Sequence, residues 1–200
     1  MQVKKDEIRQ SILKEAEKEF LEKGYQNASI RKIVKLAGTT IGNFYNYFEN
    51  KGALFKLLVE KEYRNFQFFM ENHEKIERPD FLWNISDVSQ WRKVLGELII
   101  RMMPSFSDGF VLLIECSAGT PYENTRLEAI NLMKEHFIDH MERFNPASKD
   151  PLLAEIISEQ LLSGLITILK KHKDEKTRKR LITELFLFYF IGAMGLIGKW

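Results

Sequence analysis

The chain has 200 residues, is 44% hydrophobic and 29% charged, and carries a net charge of +2. These figures exclude a disordered or low-complexity chain and leave room for one large domain or two small ones. The single Cys116 excludes an internal disulfide framework, and the opening MQVKKDEIRQ lacks the apolar stretch of a secretory signal, so a cytoplasmic protein is expected. Charge is unevenly spread. Residues 1–56 hold eleven Lys/Arg against seven Asp/Glu (+4), and residues 57–200 hold nineteen against twenty-one (−2). The basic first quarter favours a polyanionic partner there.

Strand signals are poor and helical periodicity runs throughout. Ile8, Ile12, Leu13, Ala16, Phe20 and Leu21 repeat every 3.6 residues, and Gly24 ends that helix. Ser29 is an N-cap for a short helix through Ala37, with Ile30, Ile33, Val34 and Ala37 on its apolar side. Gly38 stops it, and a second short helix covers Thr40 to Tyr47. Asn50 begins a long helix toward Ile76, followed by a loop, ERPDFLWNISDVSQ. Further helices are expected over 88–103, 106–117, Pro121–Phe144, Pro151–His172 and Lys176–Lys199. The fold class is therefore all-α with about nine helices.

Two short helices meeting at a glycine turn predict a helix-turn-helix, because glycine accepts the positive φ of the bend. Ile33, Ala37, Ile41 and Phe44 pack the pair over Ala16 and Phe20, with Phe48 closing the small core. Tyr45 and Tyr47 are left over. Thr40, Asn43, Asn46 and Tyr47 form a polar, uncharged face with Gly42 in its middle. A solvated helix face is usually rich in Glu and Lys. Hydroxyls and amides instead suit phosphates and base edges, and a glycine lets a duplex come close. Ser29 and Asn50 open helices whose free N–H groups can meet phosphate, with Arg31 and Lys51 in those first turns.

Residues 8–55 resemble the DNA-binding region of the tetracycline-repressor (TetR) family of bacterial regulators. The resemblance rests on Ile12-Leu13, Ala16, Phe20, Gly24-Tyr25, Ser29-Ile30 and Ile33-Val34. It continues through Ala37-Gly38-Thr39-Thr40, Gly42, Phe44-Tyr45, Tyr47-Phe48, Lys51 and Leu54. Val34 stands where the family has a small alanine, and Thr39 where it has valine. The resemblance implies backbone contacts from Ser29, Thr40, Tyr45, Tyr47 and Lys51, and base reading by Ile41, Gly42, Asn43 and Asn46. Arg31 could serve either purpose, and Thr39 is counted in the same DNA-binding set. It also implies a helix-turn-helix domain over 1–52 and a helical ligand-sensing and dimerisation domain over 53–200. Double-stranded DNA and an unknown small-molecule inducer are the implied partners. Inducer binding would move the long helix after Asn50 and lower operator affinity.

In the remaining three quarters, LFLFYFIGAMGLIG (Leu185–Gly198) has no charge. A helix apolar on every side is buried on every side. Fourteen residues fall short of the roughly 20 that span a membrane, so burial against a second copy is expected, without a membrane. The homodimer surface would comprise Ile157, Leu161, Gly164, Leu165 and Ile168 with Leu185, Phe188, Tyr189, Gly192 and Leu196. Two alternatives for that helix are a core within one chain and a membrane-anchored adaptor. Soft and aromatic residues suggest a pocket for an apolar or aromatic inducer, lined by Phe69, Trp83, Trp91, Met102, Phe106, Phe110, Met133 and Phe137. Ordinary core packing is the competing reading. Glu115 is either a ligand anchor or an arginine's partner.

No catalytic signature appears: there is no glycine-rich phosphate loop, no Gly-x-Ser-x-Gly and no histidine–cysteine arrangement. His136 and His140 have metal-ligand spacing, but no third ligand is identifiable. Neither an enzyme, a metal nor a cofactor is expected. A ligand-responsive regulator of the repressor type is expected.

Overall fold

The computed structural model describes residues 2–72, 90, 92–94, 96–97 and 106–196. Among them every regular element is helical. Packing divides the chain into two compact units, residues 1–67 with 107–126, and residues 68–106 with 127–200. By packing, the first unit continues into the long helix, because Leu54, Phe55 and Val59 are fully buried in its core.

The first unit opens with α1 (Gln2–Asn27), whose helical path breaks at Gly24 with φ 70° and ψ 165°. That left-handed glycine turns the chain toward α2 (Ile30–Leu36). Gly38, φ 69°, makes the second bend, into α3 (Ile41–Phe44). Tyr45–Tyr47 follow as turn residues, so the regular helix is shorter than the Thr40–Tyr47 expectation. The long α4 (Lys51–Asn72) comes next, with the Asn50 side chain accepting from the Ala53 N–H at 2.8 Å. Ile12, Ala16, Phe20, Ile33 and Phe44 are fully buried, and the Phe20 and Phe55 rings meet edge to face at 5.1 Å. Ile41 departs from expectation. It is 38% exposed and lies outside the core.

α5 (Asp108–Glu115) also belongs to the first unit, and Gly109–Ile114 are buried on every side of it. Its N-cap, Ser107, accepts from the Gly109 N–H at 3.0 Å and donates to the buried Glu62 carboxylate at 2.6 Å. A β-carbon on Gly109 would lie 2.7 Å from the Leu58 carbonyl oxygen, so only glycine permits this approach to α4. Pro121 does not start the next helix. Thr120 Oγ1 donates to the Ser117 carbonyl and accepts from the Tyr122 N–H, which holds a turn up to Thr125.

In the second unit, α6 (Thr125–Phe144, entering from the first) leads through a 3-10 turn, Pro146–Ser148, to α7 (Pro151–Lys171) and α8 (Glu175–Leu196). Asp150 caps α7 with proline in its first turn. Arg178 closes the hairpin by donating to the carbonyls of His172 and Leu169 at 2.6 and 2.7 Å. Leu161, Leu162, Leu165, Ile166, Leu169 and Ile182 are buried. α7 is long and apolar enough by composition to cross a membrane, but a buried core helix passes the same test.

Candidate nucleic-acid interface

Each of the two short helices starts from a side-chain cap. Ser29 Oγ accepts from the Lys32 N–H at 3.4 Å, and Thr40 Oγ1 accepts from the Asn43 N–H at 3.2 Å. These caps satisfy part of the free N–H set at each N-terminus and leave the rest toward solvent. Between the caps lies an open cleft of about 450 Å³, lined by Ala28, Ser29, Ile30, Arg31, Ile41, Tyr45 and Lys51. Five residues singled out from sequence (Ser29, Arg31, Ile41, Tyr45 and Lys51) therefore meet at one place.

The α3 face carries the others. Tyr45 is 58% exposed, its ring edge-on to the buried Phe44 at 5.3 Å. Gly42 and Asn46 are exposed. A β-carbon on Gly42 would meet nothing within 4 Å, and its φ is not positive. Neither backbone conformation nor packing within the subunit calls for glycine there. Asn43 Nδ2 donates to Thr39 Oγ1 at 2.7 Å, and Asn46 Nδ2 donates to Asn43 Oδ1 at 3.1 Å. Tyr47 is half-buried and packs on the core beside Phe48, so it is less available than Tyr45.

The cations divide by their partners. Lys51 Nζ donates to the carbonyls of Tyr25, Gln26 and Ala28 at 2.7, 3.2 and 3.3 Å and lies 4.5 Å from the centre of the Tyr25 ring. Its three protons thus match three carbonyls at the α1–α2 turn. Burial pushes its pKa below the ordinary lysine value, a desolvation cost that those carbonyls offset in part. Lys32 pairs with the buried Glu19 at 2.5 Å and with Glu22 at 3.4 Å. The Glu19 bond is the main cause of its raised pKa. Arg31 and Lys35 are exposed on α2 and carry no side-chain partner among the described residues. Lys35 was not singled out from sequence. Nothing local marks it, since its value lies in what Lys32 and Lys51 are already doing.

The predicted inducer pocket is only partly in view. Trp83, Trp91 and Met102 lie outside the described residues, as does the side chain of Phe69. Phe106 and Phe110 are buried, Met133 and Phe137 are half-buried, and Glu115 is exposed at the end of α5. A second open cleft, about 620 Å³, lies in the second unit between Arg92, Gly96 and the start of α8, and includes none of them. The His136 and His140 rings meet edge-on with centres 4.5 Å apart. No group of three metal-ligating side chains occurs among the described residues.

Of the predicted dimer surface, Leu161 and Leu165 are buried inside the subunit. Gly164 faces Leu185, whose methyls would stand 3.2 Å from an added β-carbon. Ile157, Ile168, Leu185 and Tyr189 are half-buried, while Phe188, Gly192 and Leu196 are exposed. Leu152 and Ile156 of α7 are exposed as well.

An all-helical chain with two capped short helices set at a glycine turn defines a protein with a helix-turn-helix head. The model of bacterial regulatory proteins of the tetR family matches residues 12–58. Two uncharacterised HTH-type transcriptional regulators of Bacillus subtilis (strain 168) are similar. YdgC is 42% identical over 59 residues, 30% of either chain. YvdT is 47% identical over 51 residues, 26% of either chain. The match thus spans under a third of the length of these curated relatives. Across 90% of this chain and 96% of the other, the fold resembles AibR, solved in complex with isovaleryl coenzyme A and operator DNA, with a TM-score of 0.54 at 14% identity. Residues 12–58 thus match the DNA-binding region of bacterial regulatory proteins of the tetR family.

Proposed function

We propose that this chain is a ligand-responsive transcriptional repressor that binds a palindromic operator as a homodimer. The observation that carries the reading is the exposed face of α3. It is uncharged, capped by Thr40, and holds a glycine that serves nothing within the subunit. A glycine in a helix interior costs roughly 0.5–1 kcal/mol relative to alanine, so its benefit lies in what approaches from outside. The adjoining cleft supplies the N-terminus of α2, Arg31 and the Tyr45 hydroxyl for phosphate.

The dimer rests on the apolar residues that α7 and α8 leave uncovered, Leu152, Ile156, Phe188 and Leu196. Two heads on a two-fold axis would enter successive major grooves ~34–36 Å apart. The inducer is proposed to be a small apolar or aromatic molecule. A similar fold, AibR, is solved in complex with isovaleryl coenzyme A and operator DNA, which supports a sensor of this kind. Its effect would be a coupling free energy that weakens operator binding. A cytoplasmic location follows from this role.

Selection of bound duplexes from a random pool tests the reading. An inverted repeat should emerge, bound more weakly as salt rises. Equal recovery of all sequences would refute it.

A further inference from the structure

Thr39, Asn43 and Asn46 form a ladder along the exposed side of the turn and α3. The Asn43 amide donates to the Thr39 hydroxyl at 2.7 Å and accepts from the Asn46 amide at 3.1 Å. The Asn43 backbone N–H is taken by Thr40 Oγ1. Thr39 itself is half-buried, with its N–H bonded to the Val34 carbonyl at 2.9 Å. The ladder therefore starts from a residue fixed to α2 and ends at one exposed to solvent.

An asparagine amide has two N–H donors and two acceptor lone pairs. The ladder consumes one donor and one lone pair of Asn43 and one donor of Asn46. Each amide keeps a donor and an acceptor, which is what a two-bond contact with a base edge requires. A hydroxyl both donates and accepts. The ladder thus survives if both amides turn over together, and Thr39 fixes the plane of Asn43 whichever way round it sits.

We infer that Thr39 is a specificity-positioning residue: its hydroxyl anchors Asn43, and through it Asn46, so that the two amides read adjoining base pairs as one pre-ordered unit. This rests on the reading of α3 as the DNA probe. The local sequence is unusual in the right place, since valine, which cannot anchor an amide, is the residue the family resemblance leads one to expect at position 39. Holding side chains in their bound pose before association avoids ordering them during it. The gain is roughly three- to tenfold for one rotamer-rich side chain.

The test compares the wild-type chain with Thr39→Val, Thr39→Ser, Asn46→Ala and the Thr39→Val/Asn46→Ala pair. Each binds the selected duplex and a set of single-base variants of it. Thr39→Val keeps shape and removes only the anchor. It should lower discrimination by about three- to tenfold at one or two adjoining positions, leaving the other positions, the salt slope and the melting temperature unchanged. Thr39→Ser should restore discrimination. The paired variant should lose less than the sum of the two single losses at the shared positions. If Thr39→Val discriminates as the wild type does at every position, or loses preference evenly across the site, the ladder has no reading role. A wild-type chain without any preferred sequence would overturn the functional reading itself, and the two failures are told apart by that first measurement.

Discussion

In the first unit the exposed surface of α3 and its flanks carries Thr40, Gly42, Tyr45 and Asn46 beside a single aliphatic residue, Ile41, on a helix whose buried residue is Phe44. In the second unit α8 does the reverse. Phe188 is 73% exposed, with Leu196 and the Leu152 and Ile156 side chains of α7 also uncovered. Both surfaces depart from an ordinary solvated helix face, in opposite directions. One lacks charge but offers hydrogen bonds, and the other offers apolar area. Water satisfies the first at little cost and the second at a large one. The first therefore suits a polar partner met and released, and the second a partner that stays.

The comparison breaks hardest at Phe188. Phe188→Asp places a charge in the proposed dimer surface and should yield a monomer in sedimentation. Losing the second head should weaken operator binding by about 10²–10⁴-fold. A dimer of full affinity would remove α8 from the interface.

Lys51→Met separates a clamp from a phosphate ligand. With three carbonyls at the Tyr25–Ala28 turn left without their donor, thermal unfolding should show a loss of about 1.5–3 kcal/mol. An unchanged melting temperature with reduced DNA affinity would assign Lys51 to phosphate alone.

Gly109→Ala drives a β-carbon against the Leu58 carbonyl and the Glu62 carboxyl. A loss of about 1–3 kcal/mol is expected, read from denaturant midpoints. Gly42→Ala should do the opposite to the fold, stabilising it by about 0.5–1 kcal/mol, while operator affinity drops in a binding titration. A variant both more stable and equally tight would show that Gly42 meets no duplex.

Local chemistry made the head legible. Ser29, Thr40 and Asn50 each accept a hydrogen bond from an N–H three residues on, and Gly24 and Gly38 each hold a positive φ. Such features are written within four residues of sequence. What escaped depends on distant partners. Lys51 reaches carbonyls 23 to 26 residues earlier, and Ser107 meets Glu62 across 45. Leu161 and Leu165 read as one stripe with Ile157 and Ile168, yet the first two are buried within the subunit. Periodicity tells which face is apolar, and cannot tell whose side chains cover it. Pro121 fits a first helical turn by type, and the Ser117–Thr120 hydrogen bonds place it in a turn instead.

Site-directed photocrosslinking from position 46 tests the central claim most directly. With a photoreactive side chain in place of Asn46, the selected duplex should crosslink at bases in the major groove of both half-sites. Tight binding of that duplex with no crosslink from position 46 would show that α3 is not the element that enters the groove.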